Sequence, residues 1–134
     1  MNEAEIIRYI VENFPGVEAA TADGNTFFFY DPERKLPFAT IVANDDYDTV
    51  SNLGRPDVFR LNVGVSKATC AQLFSVENAT FDYTALDTLM PHPIYAKMHW
   101  LCILSPSSAT WETTIIPLVM EAYTLDVGRQ ARRA

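Results

Sequence analysis

The chain has 134 residues, of which 49% are apolar and 20% charged, and carries a formal net charge of -7. That length accommodates one domain with a substantial core but not two, and the balance is globular rather than disordered. The acidic sign argues against a nucleic-acid partner, all the more because Arg129, Arg132 and Arg133 sit together at the C-terminal end.

We therefore read residues 1–128 as a single α+β domain and residues 129–134 as a solvated basic tail. Charges interrupt the start at Glu3, Glu5 and Arg8, and no apolar run nears twenty residues, so a cytoplasmic protein with no membrane partner is expected. Cys70 and Cys102 are isolated, as in a reducing compartment. The glycosylation sequon at Asn78 is read as chance.

The first element is a helix. Asn2 with Glu5 makes a capping-box start, and Ile6, Ile7, Ile10, Val11 and Phe14 recur at helical spacing before Pro15-Gly16 ends the run. A short strand at 17–20, a turn at Asp23-Gly24 and the aromatic strand "NTFFFYD" follow; "FATIVA" at 38–43 is the next strand. The polar stretch "NDDYDTVSNLGRPD" is long for a connection in a compact domain, and long ordered loops often carry function. "VFRLNVGV" then alternates: Phe59, Leu61, Val63 and Val65 point one way, Arg60 and Asn62 the other.

Ser66 can cap a short helix bearing Cys70, Leu73 and Phe74. A loop with a helical turn at 84–89 leads to the final strand, "KMHWLCIL", whose two largely apolar faces predict a central position. We expect the face carrying Trp100, Cys102 and Leu104 to point into the core. A last helix, 108–125, carries Pro117, which should kink it or mark a restart. Hairpins with terminal helices predict a two-layer sandwich: an antiparallel sheet with the N- and C-terminal helices on one face.

The segments "PGVE", "LPFATIVA", "FRLNVGVS" and "MPHPIYAKMHWLCIL", followed by a helix containing "VMEAYTLDV", resemble the MmcQ/YjbR-like family. The resemblance is closer still to an uncharacterised bacterial family with the same "FFFYDP" and "TALDTLMPHP" segments. It spans nearly the whole chain, with His99-Trp100 and the region of Tyr123 as its most specific points. It implies a frataxin-like sandwich. Some relatives have been called DNA-binding, and one is associated with antibiotic resistance in a biosynthetic cluster. No catalytic set comes with it.

The residues themselves point to the sheet face opposite the helices. There Arg60 offers a fork of donors, Asn62 a donor-acceptor pair, and His99, if its strand lies nearby, a group able to titrate near neutral pH. Aromatic walls would come from Tyr30 or Phe28 and from Tyr47 in the 44–57 loop; His92, in "PHP", would line the mouth. Asp46 is the carboxylate chosen to orient a catalytic histidine. Asp45, Asp46 and Asp48 lack the pattern of a calcium loop, and His92 and His99 that of a zinc site, so no metal or cofactor is expected. Cys70 and Cys102 are read as inert thiols.

The leading expectation is a protein that binds a small-molecule ligand in this pocket, sequestering or processing a bacterial secondary metabolite. The alternatives are an enzyme using His99 as general acid or base with Arg60 and Asp46, and a DNA-binding or protein-interaction module. The pattern leaves the oligomeric state open, a homodimer included.

Overall fold

The computed structural model of the chain describes residues 1–75 and 79–133; the sequon residue Asn78 lies outside them. Helix α1 (Glu3–Asn13) begins with the reciprocal cap the sequence predicts. Asn2 Oδ1 accepts the Glu5 N–H at 2.8 Å, and Glu5 Oε1 accepts the Asn2 N–H at 3.1 Å. Ile6, Ile10 and Phe14 are buried, whereas Val11, expected on the same stripe, is exposed. Its position in the helical turn carries it past the edge of the contact with the sheet.

Six strands form one sheet in the order β1-β2-β3-β4-β6-β5. They are β1 (Glu18–Ala22), β2 (Asn25–Phe29), β3 (Ala39–Val42), β4 (Arg60–Gly64), β5 (Met90–Pro91) and β6 (Trp100–Leu104), and every pairing is antiparallel. At the β1–β2 turn, Asp23 and Gly24 both have positive φ (53° and 80°), the conformation that lets a two-residue hairpin follow the strand twist. The α+β class and antiparallel sheet are as the pattern predicts.

Helix α2 (Lys67–Leu73) starts where Ser66 accepts the Thr69 N–H. The C-terminal helix is composed of α3 (Ser108–Thr110), a π-helical turn (Trp111–Ile115) and α4 (Ile116–Arg133). The disturbance expected at Pro117 is this wide turn. Proline lacks the amide proton and its ring crowds the preceding turn, so loosening the coil just before it keeps the helix continuous. The helix runs on through Arg133, so the arginines read as a frayed tail extend α4 instead, with Arg129 Nη1 3.7 Å from Asp126 Oδ1.

The core lies between the helices and one sheet face. Ile6 and Ile10 of α1 and Trp111, Ile115, Val119 and Ala122 of the C-terminal helix meet Phe28, Ile41, Leu61, Val63, Leu101 and Ile103. The face assignment for β6 is therefore the reverse of the expectation. Leu101 and Ile103 enter this core, while Cys102 and Leu104 join a second cluster with Val42, Leu53 and Met90. Both faces of the strand are apolar, so alternation alone could not choose between them.

The expected helical turn at 84–89 is absent. That segment is extended enough for Leu86 to bridge Leu104, and it covers part of the second face with Phe81 and Tyr83. What remains uncovered on that face is the candidate site.

Candidate functional site

Strand β4 is central, and its alternation is the reason the site exists. Leu61 and Val63 enter the core, so Arg60 and Asn62 must stand on the other face. Cross-strand pairing adds neighbours on that face: Phe27 opposite Thr40, Thr40 opposite Asn62, and Gly64 opposite Trp100. A β-carbon at Gly64 would lie 3.0 Å from Trp100 Cε2, so glycine allows the indole to lie close against the strand.

Around these residues is a cavity of about 480 Å³. Its floor is Thr40, Asn62, Arg60 and Trp100; Tyr47 and Asp48 come from the 44–57 loop, and His92, Ile94, Tyr95 and Met98 from the connection between β5 and β6. The mouth is apolar and open, with Leu36, Tyr47, Ile94, Tyr95 and Met98 all exposed.

Arg60 is 1% exposed. A guanidinium at that depth requires a full set of partners. Asp48 takes two of its N–H groups, Nη1 to Oδ1 at 3.1 Å and Nη2 to Oδ2 at 2.8 Å; Ser51 Oγ takes another from Nη1 at 2.9 Å, and Asn62 Oδ1 the Nε proton at 3.1 Å. Because arginine can only donate, this fixes the Asn62 amide: oxygen toward Arg60, nitrogen donating to Thr40 Oγ1 at 3.0 Å. The hydrogen bonds from Arg60 hold the Asp48 carboxyl below its ordinary value, against an opposing effect of burial.

His92 is also buried. Its Nδ1 accepts two backbone protons, from Ile94 and Tyr95, each at 3.0 Å. An unprotonated Nδ1 places the proton of the neutral ring on Nε2. Burial first, then the charge of Arg60, lowers its pKa to about 4, so the imidazole is neutral at physiological pH. Nε2 makes no hydrogen bond among the described residues, yet it is not a sealed atom: Asp126 Oδ2 is the buried side-chain atom left without a partner there. His92 lines the cavity, with Nε2–H as the ring's uncommitted donor.

The structure brings Arg60, Asn62, His92 and Tyr47 together, and separates three other candidates from them. His99 does not line the cavity. Residues Ala96–Met98 form a 3-10 turn, and His99 caps it in the left-handed conformation, φ 67°, before β6 begins, so strand alternation never reaches its side chain. Tyr30 lies on the helix side, where its ring meets Tyr123 edge-on at 5.6 Å and covers Gly16. The odd-even alternation of β2 sends Phe27 to the cavity instead, and Phe28 to the core. Asp46 is exposed, and its place beside the cluster belongs to Asp48 two residues on.

The three loop aspartates do not converge. Asp45 accepts the Leu53 N–H at 2.9 Å, Asp48 is engaged by Arg60, and no group of three or more His, Cys, Asp and Glu able to hold a metal occurs among the described residues. Cys102 lies buried beside the site, its thiol pushed up to about 12 mainly by burial. Sequence reasoning named Asp48 only as one of three loop aspartates, choosing Asp46 over it, and missed Ser51, Thr40 and Trp100 as site residues. The usable signal was Arg60 itself: an arginine in the middle of a central strand needs a carboxylate once it is buried, and the acidic loop just upstream supplies one.

Fold and site define a class: an α+β protein whose single sheet is backed by helices on one face and carries an apolar-mouthed, polar-floored pocket on the other. The chain belongs to a family of unknown function, DUF6194, whose model matches residues 1–134. No curated protein and no solved structure matches it significantly. No helix among the described residues is long and apolar enough to cross a membrane.

Proposed function

We propose that this protein binds a small molecule in the pocket over β4 and β6. The observation that supports it is the pairing of a buried, fully built polar cluster with an open cavity. Arg60, Asp48, Asn62 and Ser51 are tied together, yet Arg60, Asn62 and His92 face about 480 Å³ of open space rather than packed side chains. Polar groups converging on the floor of an apolar cleft are what a small-molecule site requires.

The resemblance of the quoted segments to the MmcQ/YjbR-like family, which the family match does not itself show, would extend the proposal to sequestration or processing of a bacterial secondary metabolite, since one member of that family is associated with antibiotic resistance. Binding is better supported than acid-base catalysis. His99 lies outside the cavity, and His92, with Nδ1 engaged by two amides and its proton on Nε2, is arranged to donate a hydrogen bond rather than accept a proton. A nucleic-acid partner is disfavoured by the net charge of -7.

The test is a thermal-shift screen of aromatic and polyketide-like compounds against the native chain and Thr40→Phe, which fills the floor. Compounds that raise the melting temperature of the first and not the second, and are recovered unchanged, support the proposal. Turnover of a hit would favour the enzyme reading. Hits that stabilise both chains equally would count against the pocket.

A further inference from the structure

Resting on the pocket reading, we infer that the ligand is an uncharged amphiphile whose acceptor oxygen, of the ketone, amide or ester kind, reaches the floor while its aromatic or aliphatic body lies at the mouth. The floor has more uncommitted donors than uncommitted acceptors. Arg60 has five N–H groups and four are engaged: Nε–H with Asn62, both on Nη1 with Asp48 and Ser51, and one on Nη2 with Asp48. One Nη2–H remains. Asn62 gives one amide proton to Thr40 and keeps the other. Trp100 Nε1–H and His92 Nε2–H make no hydrogen bond among the described residues.

The acceptors of the cluster are, by contrast, each already in use: both Asp48 oxygens, Ser51 Oγ, Asn62 Oδ1 and Thr40 Oγ1. An oxygen that holds one bond tolerates an idle second lone pair, whereas an unmet N–H at a desolvated floor is costly. The floor therefore asks its occupant for acceptors.

Charge narrows the class further. The Arg60 cation is matched by Asp48 through two bonds, and His92 is neutral, so an anionic ligand meets no uncompensated cation there. A cationic ligand meets no free carboxylate, because Asp48 is already held. The free N–H groups can hydrogen-bond an anion, but without an uncompensated cation they do not offset the full cost of desolvating it, and a cation finds neither charge nor free acceptor. The exposed apolar rim suits the rest of the molecule: Met98 is 66% and Leu36 64% exposed, and Tyr47 and Tyr95 provide ring faces.

The experiment uses one naphthalene ring with four substituents: 2-acetylnaphthalene, 2-methylnaphthalene, 2-naphthoate and 2-naphthylmethylammonium. Each is titrated into the native chain while the indole N–H signals of Trp100 and Trp111 are followed by NMR, assigned with Trp100→Phe. The expected result is that the ketone shifts the Trp100 signal and leaves that of Trp111, which is buried under the helices, unmoved. Its Kd should be at least tenfold below those of the other three. A carboxylate or ammonium form that binds as tightly would overturn the ligand class and leave the pocket standing. Equal affinity for the hydrocarbon would do the same, since the floor would then contribute nothing. If none of the four moves the Trp100 signal, the class and the pocket reading fall together.

Discussion

Asp48 grips Arg60 with both carboxylate oxygens, at 3.1 and 2.8 Å, and so ties the long 44–57 loop to the central strand of the sheet. The contact joins residues of very different origin. Arg60 is placed by strand alternation, Asp48 by a loop with no periodicity. Ser51 Oγ and the Leu53 side chain, both buried, complete the anchorage. The loop is thereby a wall of the cavity.

Removing one member of this pair should be far worse than removing both. Asp48→Asn leaves a buried guanidinium unmatched and is expected to cost roughly 3–5 kcal/mol. Arg60→Met with Asp48→Leu should recover most of that loss, while abolishing any binding that depends on the floor. Urea unfolding of Asp48→Asn, Arg60→Met and the double variant measures the difference. Equal losses throughout would mean the pair is not desolvated.

The pH dependence follows from two lowered pKa values with different causes, hydrogen bonds from Arg60 at Asp48 and burial at His92, and both weaken the fold as pH falls. Asp48 has a lowered pKa in the folded state, so its contribution is present above the unfolded carboxylate value of about 4 and fades as pH falls through the folded one. His92 is lowered from 6.5 to about 4, so the unfolded chain binds the extra proton between those values and stability falls as pH drops from 6.5 towards 4. At 1.36 kcal/mol per unit that is on the order of 3 kcal/mol. His92→Gln should flatten the slope of stability between pH 4 and 6.5; an unchanged slope would remove His92 as its source.

The two tryptophans should behave oppositely. Trp111, 2% exposed under the helices, is expected to cost about 3–5 kcal/mol as Trp111→Ala. Trp100 is half-buried and faces the cavity, so Trp100→Ala should cost less than about 2 kcal/mol but eliminate ligand binding. Chemical denaturation of each, followed by circular dichroism, gives the comparison. A larger loss for Trp100 would restore the inward assignment that the sequence suggested.

Gly64→Ala places a methyl 3.0 Å from the Trp100 ring. The ring must tilt off the strand by a few tenths of an ångström or more. We expect a cooperative fold, a stability loss of roughly 1 kcal/mol and an altered Trp100 fluorescence spectrum. An unchanged spectrum would show that the indole does not rest on this glycine.

Much of the architecture was legible in the sequence because local rules and the global fold agree. Asn2 and Glu5 cap α1 as their spacing requires, Asp23-Gly24 turns the hairpin, and Phe59, Leu61, Val63 and Val65 alternate into the core and so fix where Arg60 and Asn62 must stand. Periodicity works there because one face of each element is plainly apolar. Where both faces are apolar, as in "WLCIL", it is silent, and the side that meets the helices was decided by packing. The choice of Asp48 over Asp46 as partner, and of His92 over His99 as the pocket histidine, was likewise tertiary. An arginine with four of its five protons engaged selects whichever carboxylate the loop brings within 3 Å, and a single left-handed residue at position 99 ends the alternation before it begins. Sequence spacing records direction along an element; which elements meet is settled by the burial of surfaces far apart in the chain.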